Sequence, residues 1–186
     1  MQMRALGIRA VAATAAAVLA GMAVSGYIPA SSTEKQETVE ARLQRLEDRE
    51  AIRNLLMNYG RYLDQRNFVA FSQLFCEKEG EWIGGMGRAK GSQAILKLME
   101  DSIGKDAGGK GAPNYHLFSN EMIRVDGDRA EASTKWVFVV QGEAGRPQPF
   151  YLGHYEDAMI RENGHWKFLR RTVYGDIPAD DPLKQK

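Results

Sequence analysis

The sequence predicts an α+β domain in which three N-terminal helices pack on one face of a curved antiparallel sheet. Three observations predict it. From Val39 the apolar residues recur at helical spacings. From Tyr115 onward, four segments have the composition of strands and are separated by hairpin connectors. The helices precede the long strands rather than alternating with them, which is the order of an α+β chain.

Val39, Leu43, Leu46, Leu55, Tyr59 and Leu63 mark a long amphipathic helix rich in Glu, Arg, Gln and Leu. Asp64 to Asn67 interrupts it. "FVAFSQLFC" then forms a short second helix with Phe68, Phe71, Leu74 and Phe75 on one face. "EGEWIGGMGRAKG" reads as a strand, a glycine-rich turn and a return strand. Ser92 is the expected N-cap of a third helix, "QAILKLMEDSI". "GKDAGGKGAPN" holds no core residue and is expected to be a mobile flap or rim.

The four strand candidates are "YHLFSNEMIRV", "RAEASTKWVFVVQ", "PFYLGHYEDAMIR" and "HWKFLRRTVYG". "DGD", "GEAGRPQ" and "ENG" connect them with hairpin chemistry. A sheet bent around a long helix encloses a cone whose mouth can hold a small molecule.

The N-terminus differs from the rest. "MQMRALGIR" supplies two arginines, and an alanine-rich apolar stretch then runs without a charge to Glu34. Residues 1–30 are therefore expected to be a secretory signal peptide cleaved after Ala30, with Ile28 departing from the small-residue cleavage pattern. An uncleaved membrane anchor is the competing reading, because the run approaches the ~20 residues that cross a bilayer. No cysteine near the cleavage region suits a lipid anchor. The expected organisation is leader 1–30, linker 31–38, domain 39–178 and flexible tail 179–186. The expected location is exported, periplasmic or secreted.

The 186 residues are 44% hydrophobic with a formal charge of +1, enough to bury a core and without a field that would draw nucleic acid. The single cysteine, Cys76, excludes an internal disulfide and a cysteine metal cluster, and nothing beside it would lower its pKa. Metal, phosphate-loop and dinucleotide signatures are absent from the sequence. Acid–base chemistry by histidine and carboxylate is what remains.

Asp64 ends the long helix, where a carboxylate meets the negative end of the helix dipole unless a donor compensates. Read alone, it is either a solvated turn residue or an active-site acid. His116, opening the strand "YHLFSN", is either a half-buried packing residue or a proton-handling group. His154 is either a second polar group in the same cavity or a surface residue. His165, in the last hairpin, is expected to be exposed. Tyr59 and Tyr62 share the helix end with Asp64, while Trp82, Met86, Phe118, Trp136 and Phe138 are expected as cavity wall.

Taken together, "LEDREAIRNLLMNYGRYLDQRNFVAFSQLF", "EWIGGMGRAKGSQAI", "HLFSN" and "YEDAMIRENGHWKFLRR" resemble the SnoaL-like family of the nuclear-transport-factor-2-like (NTF2-like) superfamily. The resemblance runs from Val39 to about Ile177 and implies a cone-shaped, cystatin-like α+β barrel with a central pocket. It is nearest the branch of scytalone dehydratase, hexachlorocyclohexane dehydrochlorinase and bile-acid 7α-dehydratase. Those enzymes pair an aspartate after the first long helix with a histidine opening the strand after the third, positions that Asp64 and His116 hold here. Tyr59 matches an assisting tyrosine of the bile-acid enzyme and Trp82 a pocket tryptophan of the dehydrochlorinase. The resemblance does not place the dehydrochlorinase's later-strand arginine on Arg161 or a neighbour.

The function expected is a cofactor-independent lyase, with no bound metal, acting on a small apolar cyclic molecule. His116 would be the general base, Asp64 its orienting partner, and Tyr59 an assisting residue. Tyr62, Trp82, Met86, Phe118, Trp136, Phe138 and His154 would bind substrate. Isomerisation of a ketosteroid-like compound uses the same groups. A non-catalytic exported binding protein is the alternative from another class. A homodimer or homotrimer is expected.

Overall fold

The structure is a computed structural model that describes residues 37–104 and 113–183. The expected leader, most of the expected linker, the centre of the glycine-rich loop and the last three residues lie outside the described residues. Among those described, no helix is long and apolar enough to cross a membrane.

Helix α1 spans Val39–Asp64, and the Thr38 side chain caps it by accepting from the Ala41 N–H. Its first two turns are exposed, with Val39, Leu43 and Leu46 in contact with solvent. Docking begins at Asp48 and continues through Ile52, Leu55, Leu56, Tyr59 and Gly60, a single face at helical spacing. Helix α2 is Phe68–Ser72 and α3 is Ser92–Ile103. The expected cap of α3 is displaced by one position: Gly91 is the N-cap at φ 85°, with no side-chain cap bond. Ser92 is already helical, and its N–H bonds to the Glu77 carbonyl.

The C-terminus of α1 is a Schellman turn. The Asn67 N–H reaches the Tyr62 carbonyl at 2.8 Å and the Arg66 N–H reaches Leu63 at 3.0 Å. Arg66 holds the left-handed position at φ 54°, where glycine is usual and another residue costs about 1–2 kcal/mol.

Strands β1 (Glu81–Gly84), β2 (Gly87–Lys90), β3 (Asn114–Asp126), β4 (Arg129–Gln141), β5 (Pro147–Glu162), β6 (His165–Ile177) and β7 (Ala179–Asp180) form one sheet. Its order is β2-β1-β6-β5-β4-β3, with β7 on β6. The expected helices on a curved sheet are present, and the structure refines the sheet in two respects. The sheet is mixed, because β1 runs parallel to β6 and every other pairing is antiparallel. It is also unclosed: among the described residues β2 and β3 are its two edges, and α1 lies across β3 and β6. The expected tail begins inside the sheet: Ala179 and Asp180 pair with Asp176 and Gly175.

The core lies between the helices and the concave sheet face. Ile52, Leu56, Phe71, Phe75, Ile95, Met99, Met159 and Phe168 are each at most 1% exposed. Each such side chain contributes about 1.5–3 kcal/mol by burial. A second anchor is polar: Asp48 accepts from Arg161 at 2.6 Å and from Trp166 at 3.2 Å, tying α1 to the β5–β6 hairpin.

Candidate functional site

Where α1 ends it comes very close to β3. A Cβ on Gly60 would lie 2.6 Å from the Phe118 ring and 3.3 Å from the His116 Cβ. Gly60 puts no side chain of its own between helix and strand there, so Asp64, one turn later, reaches the strand directly.

Period-two alternation places Asn114, His116 and Phe118 on the inward face of β3. The Asp64 carboxylate collects three donors from this strand. Its Oδ1 accepts from Asn114 Nδ2 at 2.8 Å and lies 2.6 Å from His116 Nδ1. Its Oδ2 accepts from the His116 backbone N–H at 2.9 Å. These donors supply the compensation that a carboxylate at a helix C-terminus needs. The His116 and Asp64 side chains are 12% and 20% exposed. Among the described residues, His116 Nε2 has no hydrogen-bond partner.

The pair borders a cleft of about 630 Å³, walled by the end of α1 and the β3 edge. Arg61, Arg66, Tyr115, Leu117 and Phe118 share that wall. The imidazole lies against Phe138, with ring centroids 4.7 Å apart.

Other expected site residues are elsewhere, and each has a physical reason. Tyr59 is buried in the core, where its hydroxyl accepts from Trp82 Nε1 at 2.9 Å. Neither residue lines the cleft. Trp136 is buried and stacks between Tyr151 and Tyr155, with its ring centroid 6.4 Å from that of His116. Tyr62 is half-buried beneath the Arg61 guanidinium, and Met86 is exposed in the β1–β2 turn.

His154 faces away from Asp64 and His116. The register pairs Trp136 with Gly153, so the inward position on β5 belongs to the glycine and His154 points outward. There it bonds Asp176 at 2.8 Å and stacks flat on Tyr174.

Behind the aromatic wall lies a residue that the sequence did not locate. Arg171 is wholly buried and bonds Asp157 through two contacts of 2.7 Å. Its guanidinium lies 4.0–4.2 Å from the ring centroids of Tyr59, Tyr155 and Phe168. Burial raises the Asp157 carboxyl pKa and Arg171 opposes it; two bonds this short are those of an ionised pair. Burial also raises the phenol pKa of Tyr59 and Tyr155, so both keep their protons. Three buried polar atoms on inward positions have no partner among the described residues: Thr134 Oγ1, Trp136 Nε1 and Arg171 Nη1. No group of three or more His, Cys, Asp or Glu among the described residues is placed to hold a metal ion.

Three comparisons bear on this arrangement. A family model for SnoaL-like domains matches residues 44–172. An uncharacterized protein of Mycobacterium tuberculosis is 26% identical over 130 residues, spanning 68% of this chain and 84% of that protein. An NTF2-like protein with a cystatin-like fold from Novosphingobium aromaticivorans superposes with a TM-score of 0.67 at 26% identity, over 81% of this chain and 99% of the other. A candidate scytalone dehydratase of the same organism shares the fold, with a TM-score of 0.60 at 22% identity over 78% of this chain and 99% of that one.

Proposed function

This chain belongs to the family of SnoaL-like domains, and on that premise we propose that it is a lyase that eliminates water from a small cyclic substrate. The observation that carries the proposal is the 2.6 Å contact between Asp64 Oδ1 and His116 Nδ1, beside a cleft and with Nε2 unpartnered among the described residues. A carboxylate on Nδ1 fixes that nitrogen as the protonated one and leaves the Nε2 lone pair as the base.

In the proposed reaction Nε2 takes a proton from a carbon next to an electron-withdrawing group. The C–H electrons become the new C=C bond, and the β-hydroxyl leaves with its bonding pair. The imidazolium returns its proton to that oxygen, which departs as water. Proton and electron pairs balance, and the base is restored. Asp64 stabilises the imidazolium between the two transfers.

The test uses a panel of cyclic β-hydroxy ketones in deuterated buffer, followed by nuclear magnetic resonance. The wild-type protein should release the unsaturated ketone from some members, and His116→Ala should lose that rate by roughly 10²–10⁴-fold. Deuterium exchange at the α-carbon without loss of hydroxyl would assign the pair to isomerisation. Equal turnover by His116→Ala and wild type would remove the proposal.

A further inference from the structure

We infer that the substrate of this cleft carries an anionic substituent, a carboxylate, phosphate or sulfate group, held by Arg61 and Arg66 while its apolar part lies toward His116 and Phe118. The inference rests on the proposed function, because it concerns the same cleft.

The first observation is charge. Arg61 and Arg66 both line the cleft, against the single carboxylate of Asp64. Asp64 is already committed to three donors on β3. Neither arginine has a carboxylate partner among the described residues. Arg61 makes one long contact, 3.4 Å from Nη2 to the Tyr62 hydroxyl, and Arg66 gives Nη1 to the Ile103 carbonyl at 3.0 Å. The remaining guanidinium donors have no partner among the described residues and suit a planar or tetrahedral oxyanion, which arginine recognises through paired hydrogen bonds. Arg45, Arg53 and Arg161 are each paired with an acid, while Arg49, like Arg66, gives its guanidinium to a backbone carbonyl.

The second observation is backbone strain, and it is independent of charge. The left-handed position that closes α1 suits glycine, yet this chain places Arg66 there at φ 54°. The side chain that this strained position carries reaches the end of α3 through the Ile103 carbonyl and borders the cleft.

The experiment compares two fluorescent probes on one aromatic frame, anilinonaphthalene sulfonate and neutral phenylnaphthylamine, binding to the full chain. The wild type should bind the sulfonate more tightly by roughly tenfold, the value of one charge-assisted hydrogen bond. Added salt should shrink the difference. Arg61→Gln with Arg66→Gly should abolish the preference while leaving the neutral probe's affinity unchanged. Arg66→Gly alone should melt at or above the wild-type temperature, since it relieves the strained position.

Equal wild-type affinity for the two probes would overturn the inference. So would a sulfonate preference that survives in the double variant, or an Arg66→Gly variant that melts lower and keeps the preference. His116→Ala separates this inference from the lyase reading. That variant should retain the sulfonate preference, and unchanged turnover in it would remove the lyase reading while leaving the anion site standing.

Discussion

Gly60 faces the Phe118 ring so closely that a Cβ there would come within 2.6 Å of two ring carbons. The contact sets the distance between the end of α1 and β3, and therefore between Asp64 and His116. Two effects compete in Gly60→Ala. Alanine favours the helix by roughly 0.5–1 kcal/mol. Displacing a packed ring and the strand beneath it costs on the order of 1–3 kcal/mol. The clash wins, so Gly60→Ala should be less stable than wild type in urea denaturation and should lose activity with it. A more stable variant would show that the close approach does not set the site.

The Asp48 anchor has a pH signature. Burial alone would raise its pKa, but hydrogen bonds from Arg161, Trp166 and Gln44 hold it below the ordinary 3.8. The stabilisation is therefore complete above that value and is lost as pH falls through the depressed folded-state pKa. Asp48→Asn should be less stable at neutral pH by on the order of 1–3 kcal/mol. The gap to wild type should close in acid. Urea denaturation across a pH series measures it, and a gap that widens in acid would contradict the assignment.

Cys76 is 3% exposed, and its thiol pKa is pushed up to about 11, chiefly by burial and further by the nearby Glu162. At about pH 8 it is protonated and out of reach, and the thiolate is the reactive form. Iodoacetamide should leave the native protein unlabelled and modify it fully in denaturant. Fast labelling of the native state would place the cysteine at the surface.

The long strands were legible because hairpin chemistry and alternation are local. "DGD" and "ENG" put Gly127, Asn163 and Gly164 at positive φ, as such turns require. Asp64 and His116 were legible from their positions and the resemblance. Asn114 could have been added, since a period of two sets it on the same face as His116. What the sequence hid was longer in range. Alternation from Trp166 and Phe168 points to Arg170 as the inward arginine. A register shift leaves Leu169 unpaired and turns Arg171 inward instead. The parallel β1–β6 pairing joins segments almost ninety residues apart with no turn between them to read. Tyr59 is expected as an assisting residue and Trp82 as cavity wall, yet they satisfy each other inside the core. Aromatic composition alone does not distinguish wall from filling.

The central claim is that Asp64 holds the proton of His116 on Nδ1 and leaves Nε2 basic. Nuclear magnetic resonance of imidazole nitrogens in labelled protein at neutral pH reads this directly and requires no substrate. The account predicts the Nδ1–H tautomer in the wild type and its loss in Asp64→Asn. A wild-type imidazole protonated on Nε2, or one whose tautomer is indifferent to Asp64→Asn, would contradict it.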